Sequence, residues 1–249
     1  MTGVQTCALP IFDTARTGGA SPAPWNSLNL GAHVGDSRHC VDANRRLLRD
    51  AAGLPAEPRW LEQVHGIAVA DLDATPATDA ALRADAAISA IPGRVCVVMT
   101  ADCLPVVLAS TDGAIVGAAH AGWRGLAAGV VEATLDAMRR RSTAGTTFQA
   151  WLAPAIGAAN FEVGDDVRAA FLAADPQAAA AFTPNAQRRW QCDLYRLARQ
   201  RLARAGVERI SGGSRCTYAE EDCFFSHRRD VQHRGLAATG RMATLIWRT

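Results

Sequence analysis

Five short apolar or β-branched segments, at residues 59–64, 84–89, 94–100, 105–110 and 114–119, fill the middle of this 249-residue chain. Pro92-Gly93 and Asp112-Gly113 punctuate them, and Thr111-Asp112-Gly113 is placed to turn the last two into a hairpin. Beyond Gly122 the period lengthens, with Leu126, Val130, Leu135 and Met138 recurring at helical spacing. A chain patterned this way must pair its strands into a sheet and cover that sheet with helices. Residues 148–152 read as another strand, 163–174 as a helix, and 242–247 as a closing buried strand. Asp193 caps a helix that carries Leu194, Leu197, Ala198 and Leu202. Strands and helices mix without strict alternation, which predicts a layered α/β fold with a mixed sheet.

Upstream, residues 12–16 suit a strand, and a turn-rich stretch at 18–35 is too long for an ordinary connection. A helix follows over 37–52, with Asp36 or Ser37 as its cap and Gly53 as its stop. Val41, Leu47, Leu48 and Ala51 supply its apolar face. Nothing in the pattern marks a second domain or a repeat.

Composition excludes several classes. With 49% hydrophobic and 20% charged residues the chain is neither disordered nor membrane-like. A formal net charge of +2 is too small for a protein whose main partner is nucleic acid. The arginines at 139–141, 188–189 and 196–204 read as solvated helix faces. Seven cysteines without a C-x-x-C pair are those of reduced thiols, which points to the cytoplasm. No apolar run reaches the ~20 residues of a membrane span, and the start lacks the basic and apolar regions of a signal peptide. Residues 1–11, Met1 to Ile11, resemble the translation of a sequencing adapter and are expected to be a gene-model artefact, so that Cys7 carries no biology.

The chemistry concentrates in three blocks. Cys103 follows a buried strand and precedes Leu104-Pro105, which places it at a strand end. His120 ends the next strand, and Gly122-Trp123-Arg124-Gly125 then forms a strand-to-helix junction that favours anions, with Arg124 adding charge. His65 lies in Gln63-Val64-His65-Gly66, after another apolar strand. Two imidazoles and one thiol bind zinc while leaving a position open for chemistry. The same residues also suit a metal-free reactive Cys-His pair, and spacing alone does not choose between them. Asp102 serves either as a base or ligand-orienting group or as a turn carboxylate. Arg228 and Arg229 suit phosphate binding or pairing with Asp230. His33, His39, His227 and His233 read as solvated or supporting residues, and Cys40, Cys96 and Cys192 as inert thiols inside elements.

Further motifs extend the pattern: Thr14-Ala15-Arg16-Thr17-Gly18-Gly19, Asn29-Leu30-Gly31-Ala32-His33-Val34-Gly35-Asp36, Pro154-Ala155-Ile156-Gly157, Cys216-Thr217-Tyr218, Phe225-Ser226-His227-Arg228-Arg229-Asp230 and Gly240-Arg241-Met242. With Gln63 to Gly66, Thr100 to Cys103 and His120 to Gly125, they resemble the laccase-domain family, described earlier as multicopper polyphenol oxidases and now mostly as purine nucleoside phosphorylases. The resemblance runs from Phe12 to the C-terminus, and it implies one catalytic domain over 12–249, shortened at its N-terminus. The implied fold is a three-layer α/β/α domain with a mixed β-sheet, similar to the deamidase domain of cytotoxic necrotizing factor. The implied activity is zinc-dependent phosphorolysis of adenosine, inosine and methylthioadenosine, with adenosine deamination beside it. The family's metal ligands fall on His65, Cys103 and His120. Some bacterial relatives are described instead as peptidoglycan editing factors that remove L-serine from UDP-MurNAc. The stretch 231–239 looks longer than the family's usual connection and is expected to alter the rim of the site.

The expectation is a cytoplasmic zinc enzyme acting on purine nucleosides and phosphate, with no nucleic-acid or membrane partner. Cys103, His120 and Asp102 are its expected catalytic residues, and Arg16, Asn29, Arg124 and Arg228 its substrate or phosphate contacts. Six histidines without an H-x-H pair are too few and too scattered for a mononuclear copper site plus a trinuclear cluster. Adventitious Cu²⁺ would still compete for the same ligands during preparation. The rival readings are a Cys103–His120 amide hydrolase, including serine-removing editing, and a zinc-stabilised binding protein.

Overall fold

The computed structural model describes residues 9–75 and 81–249. Residues 1–8 of the segment expected to be an adapter artefact, Cys7 among them, lie outside the described residues. Leu9 and Ile11 are buried, and Ile11 pairs with Ile246.

In chain order the main elements are β1 (Ile11–Asp13), α1 (Arg38–Ala52), β2 (Val69–Asp71), β3 (Ala86–Ser89), β4 (Val95–Thr100), β5 (Leu104–Ser110) and β6 (Val116–Ala121). They continue with α2 (Trp123–Ala128), α3 (Val130–Arg140), β7 (Phe148–Leu152), α4 (Asp165–Ala174), α5 (Leu194–Arg204), β8 (Arg209–Gly212) and β9 (Met242–Trp247). Six strands form a mixed sheet in the order β8-β7-β5-β6-β3-β2, parallel at its two outer pairs and antiparallel within. A second, antiparallel sheet has the order β1-β9-β4. This is the mixed α/β domain that the sequence predicts.

Its β layer is double. The period-two alternation of a strand sends Val106 and Leu108 of β5 toward α3 and α5, and Val107 and Ala109 toward the second sheet. In β4, Cys96 and Val98 meet that same inter-sheet core, while Val95 and Val97 face Leu48 of α1. The resulting order is helices, six-stranded sheet, three-stranded sheet, helix. Strands buried on both faces read as unbroken apolar runs, so the sequence does not show which face meets a sheet.

Local chemistry sets the helix ends. Ser37 Oγ accepts the Cys40 N–H at the start of α1, and Gly53, at φ 58°, ends it in the left-handed conformation. The buried face of α1 is Val41, Asn44 and Leu48; Leu47, expected there, is exposed. Asn44 Nδ2 donates to Ser21 Oγ and to the carbonyls of Ser27 and Asn29, which fixes the long loop against the helix. The single helix expected after Gly122 is two, because Gly129 at φ 104° interrupts it. Among the described residues no helix is long and apolar enough to cross a membrane.

Candidate metal centre

Three residues of identical strand parity meet at one end of the two-sheet core. Cys103 precedes β5 and shares the parity of Val107; His120, near the end of β6, shares that of Val116 and Ala118. Asp85 immediately precedes β3 and shares the parity of Ala87. The registers Ala86↔Ala119 and Pro105↔His120 bring these strand ends side by side. Alternation therefore aims all three side chains between the sheets, where the layers open into a cleft.

His65 reaches the same point from the loop before β2, with its backbone at φ 61°. That conformation is unfavourable for a residue with a Cβ and is held by its surroundings. The Asp85 carboxylate accepts the N–H groups of Val64 at 3.2 Å, His65 at 2.8 Å and Gly66 at 2.7 Å. It also accepts the His120 Nδ1–H at 2.9 Å. A carboxylate offers only acceptors, so this bond fixes the tautomer and leaves Nε2 as the free imidazole nitrogen.

The ligand atoms of His65, Cys103 and His120 all lie within 4.8 Å of one another, and Cys103 Sγ stands 3.9 Å from His65 Nε2. Ligand atoms around tetrahedral zinc are about 3.3–3.8 Å apart, given metal–ligand distances near 2.0–2.3 Å. The two imidazole rings meet edge to face with centroids 4.8 Å apart. Gly122 makes the approach possible, since a Cβ there would stand 2.8 Å from Cys103 Sγ. Donor set and the Asp85 brace fit a single divalent ion with an open position, and the ligand atoms would close by up to about 1 Å to hold it.

Electrostatics favour the thiolate ligand, while a metal ion would displace a proton from His120. Burial pushes the Cys103 thiol up, but the charge and hydrogen bonds of His120 and His65 outweigh it and bring the thiol down to about 6. Burial opposes protonation of His120, yet the Cys103 thiolate and Asp85 raise it to about 9. Burial also works against the Asp85 carboxylate, while hydrogen bonds from His120, Gly66 and Val64 hold it below the usual range. In the metal-free site each shift favours the charged form of its group, thiolate at Cys103 and imidazolium at His120.

The cleft beyond the triad has a volume of about 400 Å³. Trp123, Arg124, Phe161, His227, Arg228 and Arg241 are among its walls. Arg124 is exposed and lies 4.4 Å from the centre of the Trp123 ring. Arg228 stacks 5.3 Å above Phe161 and donates to the Glu162 carbonyl.

The expected contacts divide. Arg124 and Arg228 line the cleft, whereas Arg16 and Asn29 do not. Arg16 donates to the carbonyls of Asn26 and Glu221, and Asn29 is fully buried against Gly31, Asp36 and Arg241. Asp102, at φ 91°, lines the cleft but spends its carboxylate on Thr217 Oγ1, Ser226 Oγ and the Arg228 N–H. Arg229 pairs with Asp230 within the core rather than reaching the cleft. His33 and His227, expected as solvated or supporting residues, are exposed and also line the cleft, as does Gln232 from the stretch expected to shape the rim. Asp85 and Arg241 escaped the sequence reading as site residues. A carboxylate opening an otherwise apolar strand was the available signal for Asp85.

Comparison places this geometry among known proteins. The sequence profile described as "multi-copper polyphenol oxidoreductase laccase" matches residues 10–249. The Escherichia coli protein named purine nucleoside phosphorylase YfiH is 51% identical over 98% of this chain and 94% of its own length. The Pseudomonas aeruginosa purine nucleoside phosphorylase PA4543 is 48% identical over 94% of this chain and 91% of its own length. The crystal structure of Neisseria meningitidis NMB0706 superposes with a TM-score of 0.87 at 43% identity, covering 97% of this chain and 95% of that one. YlmD from Geobacillus stearothermophilus gives 0.85 at 33% identity, over 96% and 91% of the two chains. With its profile match over residues 10–249 and its likeness to these relatives over nearly full length, the chain belongs to the multi-copper polyphenol oxidoreductase laccase family.

Proposed function

We propose that the chain is a zinc-dependent purine nucleoside phosphorylase that accepts adenosine, inosine and methylthioadenosine. One observation carries the reading: His65, Cys103 and His120 converge in the lining of a nucleoside-sized cleft that also has aromatic rings and arginines. The names of relatives about half identical to it support purine nucleoside phosphorolysis. A His₂Cys set of borderline softness suits zinc. Multicopper chemistry needs more ligands than this site provides, since among the described residues this is the one His/Cys/acid group spaced for a metal. A bound zinc ion supplies Lewis acidity in the cleft.

The chain's own residues do the rest. Trp123 and Phe161 offer flat apolar surface for the purine, with Arg124 and Arg228 over those rings. A phosphate oxygen bonds to ribose C1′ as the C1′–N9 bond breaks, and its electron pair leaves with the base. The proton lost by dihydrogen phosphate ends on the departing purine, giving ribose 1-phosphate and free base. Arginine beside the nucleophile steadies the charge of the transferring group. Deamination uses the same cleft: water oxygen bonds to C6 as the C6–N6 bond breaks, one water proton leaves on the ammonia and the other stays on purine N1, giving inosine.

A second reading rests on the row Asp85–His120–Cys103, with His120 bonded to Asp85 and its ligand atom within 4.8 Å of the Cys103 sulfur, an arrangement that suits a nucleophilic thiol with its base and orienting acid. It corresponds to amide hydrolysis, including removal of serine from UDP-MurNAc. Base release from adenosine and inosine, measured with and without phosphate on protein of known zinc content and on His120→Ala, decides. Phosphate-dependent release requiring zinc and His120 establishes phosphorolysis, and inosine formed from adenosine without phosphate establishes deamination. Amide hydrolysis that survives chelation and is lost on thiol alkylation would replace both.

A further inference from the structure

The cleft is strongly cationic for its size. Arg124, Arg228 and Arg241 line it, and Asp102, already tied by three hydrogen bonds, is its one carboxylate among the described residues. The three arginines are not equivalent. Arg124 is exposed at the mouth over Trp123, and Arg228 leans on Phe161 and the Glu162 carbonyl. Among the described residues Arg241 stacks on no ring, and it lines the cleft together with Cys103 and Asp102.

Arg241 is also the best braced. Its backbone N–H donates to Asn29 Oδ1 at 2.9 Å, and its carbonyl accepts the Leu30 N–H at 3.1 Å. Nη1 donates to the carbonyls of Thr239 and Gly240, while Nε and Nη2 have no hydrogen-bond partner among the described residues. Its stem shares Gly31 with His33: a Cβ on Gly31 would stand 2.8 Å from Arg241 Cγ and 3.4 Å from His33 Cε1. His227, exposed, lines the same cleft. A half-committed guanidinium fork that lines one cleft with two exposed imidazoles and the metal triad is the chemistry that holds a tetrahedral oxyanion.

We infer that Arg241, His33 and His227 form the phosphate subsite, with Asn29 as the positioning residue that holds Arg241. The identity of the anion rests on the phosphorolysis reading; the cationic subsite itself does not. Neither Arg16, which lies outside the cleft, nor the two ring-stacked arginines takes the phosphate. Arg124 and Arg228 act on the nucleoside side.

The test is calorimetric titration of inorganic phosphate into metal-loaded wild-type, Arg241→Gln and His33→Gln proteins, with KM for phosphate and for inosine measured in parallel. Losing a charge-assisted fork is expected to weaken phosphate binding and raise its KM on the order of ten- to a hundredfold in Arg241→Gln. The inosine KM is expected to move less than about threefold, because the lost contact is to phosphate alone. His33→Gln is expected to show a smaller change in the same direction, and serves as the probe if Arg241→Gln does not fold. Wild-type protein that binds phosphate but turns over no nucleoside, with binding lost in Arg241→Gln, supports the subsite and defeats the phosphorylase reading. The subsite is overturned if phosphate does not bind the wild type, or binds a folded Arg241→Gln equally well. It is also overturned if Arg124→Gln or Arg228→Gln raises the phosphate KM more than Arg241→Gln does.

Discussion

Asp85 braces both candidate imidazole ligands at once, accepting His120 Nδ1–H at 2.9 Å and the backbone N–H of His65 at 2.8 Å. One carboxylate therefore sets the ring orientation of one ligand and the strained backbone of the other. Asp85→Asn places an amide N–H against backbone donors. Partners of this kind affect metal affinity on the order of 10–100-fold, and a loss of that size is expected. Competition against a chromophoric chelator measures it, with circular dichroism confirming the fold. Unchanged affinity in a folded variant would reject the brace.

Gly122 tests how tightly the triad is packed. Its φ of −60° suits any residue, so alanine is excluded only by the 2.8 Å and 3.1 Å approaches to Cys103 Sγ and His65 Cδ2. Gly122→Ala is expected to cost about 1–3 kcal/mol through overpacking. It is also expected to lower the metal content of purified protein. Thermal denaturation and metal analysis read the two effects, and full occupancy would show that the ligands can shift without loss.

The metal-free protein should expose an unusually acidic thiol. Cys103 is lowered to about 6 from an ordinary value near 9, so its reactive thiolate persists at neutral pH and is lost only as pH falls through about 6. Iodoacetamide labelling followed by peptide mass spectrometry should give a rate that halves near that pH. His120→Ala should move the midpoint upward, and metal loading should protect the thiol. A midpoint above 8 in the chelated wild type contradicts the electrostatic account.

Asp102 is expected to act as a tie. Its carboxylate holds Thr217, Ser226 and the Arg228 N–H, joining the end of β4 to the segment that carries the cleft wall. Asp102→Ala should cost about 1–3 kcal/mol for each buried donor left unpaired. Urea denaturation and proteolysis within 217–233 report it. A large fall in kcat at unchanged stability would instead place Asp102 among the groups that touch substrate.

The sequence by itself determined most of the local elements and singled out three residues that the fold brings together. Ser37 and Gly53 bound α1 because capping is encoded within a few residues, and Asp193 starts α5 for the same reason. Cys103 and His120 were legible because strand ends joined by one hairpin are neighbours in any register that the turn permits. Only the tertiary structure decided what gathers around them. Asp85, His33, His227 and Arg241 come from separate strands and loops, and no local period links them. Nor does the pattern of β5 tell that Val107 meets a second sheet while Val106 meets a helix, since both are fully buried apolar positions. Local propensity acts over a turn or a strand, whereas the cleft is made by registers and layers that close only when distant segments pack.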